Sequence, residues 1–285
     1  MEITWPEIQG AMEYMQPVEG GFTAARRGIV TLQGSERVFV KQAIDEQTSG
    51  WIELEKKAYH WLADQGYAYV PKIIAESPDG FALPDLSGLD WSNTWSEEKL
   101  EAAFAAMDAL TGLSDVAQGV FKHFKEPDQW MTVPDSSVDY RALTDNAQAL
   151  EKVRGVVARG AVRKQLQQLA ASQPERGDTL IHLDVRADNF CYDAAAKVGY
   201  LVDWNWLCLG SAIFDVNALL VSVQQRGFDV AGYCPERLDA ASLASLTGFW
   251  LTQAALPSND ALTLRRHQHQ LNSALTAYQL YEALQ

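Results

Sequence analysis

The chain has 285 residues, 47% apolar and 21% charged, a soluble globular composition with length enough for two lobes. With 37 acidic residues against 23 Lys and Arg, its formal charge of −14 excludes the basic footprint a nucleic acid needs and leaves room for a cationic small molecule. No apolar run is long enough to cross a bilayer, Cys191, Cys208 and Cys234 form no C-x-x-C pair, and the opening MEITWPEI lacks signal-peptide character, so a cytoplasmic chain without membrane or nucleic-acid partners is expected.

The first punctuation is Val18-Glu19-Gly20-Gly21-Phe22-Thr23. Gly20 and Gly21 could let the backbone approach a phosphate closely, or simply make a turn. Residues 29–32 and 37–41 are β-prone runs around Gly34-Ser35, a hairpin. On the second run Val38 and Val40 face one way, Phe39 and Lys41 the other. Residues 50–65 follow a helical period, with Trp51, Leu54, Ala58, Trp61 and Leu62 on one face. Glu55 falls at the edge of that stripe, while Glu53 lies opposite, between Lys56 and Lys57. A carboxylate on the buried face needs a cation, and Lys41 is the candidate. Residues 68–74 and 80–83 read as two further strands around the turn Ser77-Pro78-Asp79-Gly80, followed by a hinge at Pro84-Asp85-Leu86-Ser87-Gly88.

Helices are expected over 97–113, 136–154 and 159–172. A β-like island at 179–183, 189–192 and 199–203 precedes helices at 213–226, 237–255 and 259–284. The architecture is therefore α+β. Residues 1–86 make a small antiparallel sheet lobe with one helix, and residues 87–285 a larger, mostly helical lobe with a hairpin embedded in it.

The chemistry concentrates in His182-Leu183-Asp184-Val185-Arg186-Ala187-Asp188-Asn189, with Asp203-Trp204 on the returning strand. A carboxylate can accept the proton of a hydroxyl nucleophile, and magnesium prefers oxygen ligands such as Asp and Asn. Asp184, Asn189 and Asp203 have that chemistry in that order. The His-to-Asp-to-Asn spacing is that of the protein-kinase catalytic loop, with Leu183 in place of its Arg and Trp204-Asn205 in place of Phe-Gly.

The runs HLDVRADN and LVDWNWLCLGSAIFDV resemble aminoglycoside phosphotransferases and related small-molecule kinases of protein-kinase-like fold. By that resemblance Asp184 is the catalytic base, and Asn189 and Asp203 ligate Mg2+. Lys41, ending Arg37-Val-Phe-Val-Lys41, contacts the nucleotide phosphates with Glu55 as its partner, and Gly20 and Gly21 cover them. Asp215 steadies the catalytic loop, unless it merely caps a helix beginning at Val216; His182 is structural. The implied donor is ATP, with GTP as the alternative, and the acceptor a hydroxylated small molecule of possible positive charge. An aminoglycoside-type antibiotic leads. A metabolic kinase of a sugar, amino sugar or choline-like amino alcohol is the second reading, and a non-catalytic nucleotide-binding module the third. Asp188, Asp193, Asp229, Glu236, Asp239 and Glu282 are the acids available to a cationic acceptor, and Trp204, Trp206, Phe228, Tyr233 and Trp250 the aromatics for a sugar face.

Overall fold

The structure is a computed structural model and describes residues 3–18, 24–124, 129–158, 160–172 and 177–285. In chain order the elements are α1 (Trp5–Ala11), β1 (Gln16–Pro17), β2 (Arg26–Thr31), β3 (Arg37–Gln42), α2 (Glu46–Asp64), β4 (Ala75–Ser77) and β5 (Gly80–Pro84). Then come α3 (Glu97–Thr111), α4 (Ser114–Ala117), α5 (Ala147–Val157), α6 (Ala161–Ala170), β6 (Thr179–Ile181), β7 (Phe190–Asp193), β8 (Val198–Leu201) and β9 (Cys208–Gly210). The chain closes with α7 (Ala212–Gln225), α8 (Val230–Tyr233), α9 (Ala240–Ala254) and α10 (Ala261–Ala283). Contacts divide it into two compact units: Met1–Ala117 with His182–Cys208, and Gln118–Ile181 with Leu209–Gln285. These units do not coincide with the division expected at residue 86.

The first unit holds a five-stranded antiparallel sheet in the order β1-β2-β3-β5-β4. Its alternation sorts side chains into two sets. Val30, Val38, Val40 and Ala82 form a core with Ile8 and Met12 of the N-terminal segment. Ile29, Phe39, Lys41 and Leu83 point to the opposite face, where they line a cavity. Two corrections belong here. The strand expected over 68–74 is not a strand; β4 begins at Ala75. Val70 and Pro71 of that run are buried, but the run opens in a turn and bend and Pro71 has no N–H for a ladder, so it is no strand although Ile74 N donates to Ala82 O at 2.9 Å. The helix α1, absent from the sequence expectations, starts on a capping box in which Thr4 and Glu7 satisfy each other's backbone donors.

The helix α2 begins at Asp45, whose carboxylate accepts from Thr48 N at 2.8 Å. Its buried face is Thr48, Ile52, Glu55, Ala58, Tyr59 and Leu62. That face is turned from the expected stripe: Leu54 is 54% exposed, and Glu55 sits mid-face rather than at the edge. An apolar pattern alone counts a glutamate as a cost and moves the face away from it, whereas a paired glutamate can occupy its centre.

The hairpin β7–β8 belongs to the same unit. Asp90 and Tyr192 exchange backbone hydrogen bonds at 2.9 and 3.1 Å, and Leu201 N donates to Tyr69 O at 2.9 Å. Gly199 is fixed by its surroundings, because a Cβ there would enter the Phe190 ring. Buried Lys99 reaches Asp90 Oδ2 at 3.1 Å and lies over the Trp95 ring.

The second unit is mostly helical. α9 packs against α10, α6 and α7, and Trp130 Nε1 donates to Ala244 O at 3.0 Å. Arg163 donates to the carbonyls of Val157 and Val133, each at 2.8 Å. The helix expected over 136–154 is two pieces, a 3-10 turn at Ser137–Tyr140 and α5, because Asn146 caps a new start by accepting from Gln148 N. Among the described residues no helix is long and apolar enough to cross a membrane.

Candidate functional site

Three charged side chains distant in sequence meet within the first unit. Lys41 Nζ, on β3, lies 2.6 Å from Glu55 Oε2 of α2 and 2.8 Å from Asp203 Oδ1. Lys41 is 6% exposed and Glu55 2%, so neither can exchange its partner for water. Burial by itself would lower the Lys41 ammonium, but Glu55 and Asp203 together outweigh it and hold the amine above its ordinary value. For Glu55 burial prevails and pushes the carboxyl up to about 7, against the pull of Lys41 and a hydrogen bond from Trp204 N–H. Burial would raise Asp203 too, but Lys41 overrides it and keeps this carboxylate below its usual range.

The loop preceding β7 is organised by hydrogen bonds from Asn189. Its Nδ2 donates to Asp184 O at 2.8 Å and to Asp184 Oδ2 at 3.2 Å. A backbone carbonyl only accepts, so the amide nitrogen must face it and Asn189 Oδ1, which accepts from Arg186 Nη2 at 3.5 Å, is the end that could ligate a metal. Arg186 Nε lies 3.2 Å from Asp184 Oδ1 and 3.5 Å from Asp188 Oδ1. Burial pushes the Asp184 carboxyl up to about 6, with Arg186 opposing. Leu183 and Asp203 both have left-handed backbones, φ 67° and 68°. Aspartate tolerates that conformation; at a leucine it costs roughly 1–2 kcal/mol and bends the chain just before Asp184.

His182 is fully buried, its Nε2 3.0 Å from Val202 O and its ring centroid 4.4 Å from that of Trp204. The Nε2 must carry the proton to bond a carbonyl, and burial lowers the ring to about 4, so it is a neutral packing element. Trp204 is likewise wholly buried, whereas Trp206 is 52% exposed.

Lys41, Glu55, Asn189 and Asp203 all line one cavity of about 390 Å3, whose apolar wall includes Ile29, Phe39 and Leu83. Asp184 sits beside Asn189. The oxygens of Asn189 and Asp203 are a donor set that suits Mg2+, and among the described residues no group of three or more His, Cys, Asp or Glu could cage a metal. An ion held by so few protein oxygens draws its remaining ligands from phosphate and water.

Gly20 and Gly21 lie outside the described residues. Asp215 does not cap a helix at Val216. It is 2% exposed within the first turn of α7, whose N-cap is Ser211. Several acids available to a cationic acceptor have other work: Asp193 accepts from Ala195 N and Ala196 N, Asp229 from Gly232 N and Asp239 from Ser242 N. Two site residues escaped the sequence reading. Arg186 occupies a position the loop pattern leaves open, and Arg27 reaches the cavity only through strand register, which spacing does not reveal.

A small antiparallel sheet with a Lys–Glu–Asp cluster, above a loop carrying Asp and Asn, defines a small-molecule phosphotransferase of protein-kinase-like fold. The chain belongs to the phosphotransferase enzyme family (APH), which matches residues 15–249. It is similar in fold to a macrolide 2'-phosphotransferase type I, at 17% identity and TM-score 0.56, over 95% of this chain and 98% of that one. It is also similar to a putative aminoglycoside phosphotransferase from Ralstonia eutropha JMP134, at 13% identity and TM-score 0.57, covering 97% and 98%. The choline kinase LicA from Streptococcus pneumoniae aligns at 12% identity and TM-score 0.55, covering 94% and 97%. No curated protein sequence matches the chain.

Proposed function

We propose that this chain transfers the γ-phosphate of ATP, taken as its Mg2+ complex, to a hydroxyl of a small molecule, with GTP the alternative donor. The observation that carries the reading is the closed cluster Lys41–Glu55–Asp203, which lines the same cavity as Asn189. Lys41 would bind the α/β-phosphates, oriented by Glu55. Asn189 and Asp203 would hold the metal, which supplies charge neutralisation on the phosphates. Asp184 would accept the hydroxyl proton as the new O–P bond forms and the bond to the departing diphosphate breaks. Residues 1–86 supply the nucleotide side of this reading, and the larger remainder the acceptor side.

For the acceptor, an aminoglycoside-type antibiotic is the leading named class and a metabolic sugar, amino sugar or choline-like amino alcohol the alternative.

The test is ADP release by the purified protein with Mg2+ and ATP against antibiotics, sugars and amino alcohols. Asp184→Asn should lower transfer to the accepted compound by about 10²–10⁴-fold. Transfer within an order of magnitude of wild type would remove Asp184 from this role. Asp203→Ala should abolish tight Mg·ATP binding in calorimetry, and an unchanged affinity would remove Asp203 from the metal site.

A further inference from the structure

The sequence Arg26-Arg27 places two guanidinium groups on adjacent residues of β2, and strand alternation sends them to opposite faces. Arg26 Nη2 donates to Met12 O at 3.0 Å and so ties the strand to the N-terminal segment. Arg27 pairs in register with Lys41 across the β2–β3 ladder, and directly opposed residues of an antiparallel pair share a face. Both line the cavity.

Resting on the nucleotide-binding reading above, we propose that Arg27 is a second phosphate-binding cation, one that makes the affinity of the site depend on how many phosphates the nucleotide carries. The charge balance of the cavity calls for it. Lys41 is already engaged by two carboxylates, Glu55 at 2.6 Å and Asp203 at 2.8 Å. Asp188 adds a third acid to the lining, with Arg186 Nε 3.5 Å from it. One lysine so neutralised offers little net positive potential to a polyphosphate, even with a divalent cation beside it. Arg27 supplies the missing charge from the adjacent strand. A guanidinium presents five donors in a fixed fork that suits two phosphate oxygens at once, and it stays charged at half-buried positions. Ile29 and Phe39, two residues along from Arg27 and Lys41 on the same face, give the neighbouring wall an apolar character suited to a nucleobase. The cation pair therefore falls at the polyphosphate end.

A purely structural Arg27 would offset the field of Glu55 and Asp203 and treat all nucleotides alike. Titration calorimetry of Mg·ATP, Mg·ADP, AMP and adenosine on wild type, Arg27→Met and Arg27→Lys separates the two roles. A lost charge-assisted contact should weaken ATP binding by about tenfold to a hundredfold in Arg27→Met. Adenosine should stay within about threefold, with ADP and AMP between. Arg27→Lys should recover part of the loss, and it carries the test alone should the methionine variant fail to fold. Equal losses for ATP and adenosine, or unchanged ATP affinity, would overturn the proposal. If wild type binds ATP and Arg27→Met binds it equally well, only Arg27 is dismissed. If wild type binds no nucleotide, the functional reading falls and Arg27 with it.

Discussion

At the scale of single residues the site depends on a buried ion pair, and pH is the handle on it. The Glu55 carboxyl is raised in the fold to about 7, above its ordinary 4.5. A raised folded-state value means its contribution to stability is fully present below the unfolded value and is lost as pH rises through about 7. Replacing Lys41 by methionine removes the charge that makes an ionised Glu55 tolerable. Without Lys41 the Glu55 carboxyl rises still further, so Lys41→Met should destabilise the protein by about 3–5 kcal/mol at pH 8, where holding a proton on Glu55 in the fold costs most. The loss should be much smaller at pH 5.5, where Glu55 holds its proton at little cost. Urea denaturation at the two pH values is the check, and an equal or larger loss at pH 5.5 contradicts the account. Glu55 was legible as a buried acid because helix periodicity brought it near the apolar face, and Lys41 because a single lysine ended a β-prone run. Arg27 and Arg186 were not legible, since nothing in their spacing says which way a strand or an irregular loop turns.

At the scale of elements, legibility followed how local the determinant is. The loop His182–Asn189 reads directly because its own hydrogen bonds, Asn189 to Asp184 at 2.8 and 3.2 Å, span five residues. The hairpin β2–β3 reads from its turn. The run 68–74 misled because an apolar run that passes through a turn and bend and buries Val70 and Pro71 looks like a strand in sequence. The Thr4–Glu7 capping box and the Asn146 cap were local signals passed over. The helix α2 gives the sharpest discrimination between pattern and structure. Leu54, expected on the buried face, is 54% exposed, and Ile52, outside the expected stripe, is 1% exposed. Leu54→Ser should change stability by no more than about 0.5 kcal/mol. Ile52→Ala should cost about 2–5 kcal/mol by opening a cavity under the sheet. Thermal or urea melts in which Leu54→Ser is the more damaging would restore the stripe drawn from sequence.

At the scale of the whole molecule, each compact unit is built from two separate stretches of chain. The first unit needs His182–Cys208, which brings the hairpin to Tyr69 and Asp90 and Asp203 to Lys41. A fragment ending at Ala117 should therefore lack a cooperative melting transition, and a sharp calorimetric peak from it would show that the hairpin is dispensable for folding. Synthesis on the ribosome runs from the N-terminus, so the sheet emerges long before the segment that completes it. Lys41 and Glu55 must wait for Asp203, 162 residues behind Lys41, while Gln118–Ile181 is still being added. Closing so long a loop is slow, and during that interval the unfinished sheet face is exposed to other nascent chains. The Lys41–Glu55–Asp203 cluster thus cannot close piecemeal during translation, and the molecule's vulnerability to aggregation should be concentrated in the time between the two visits of the chain to the same unit.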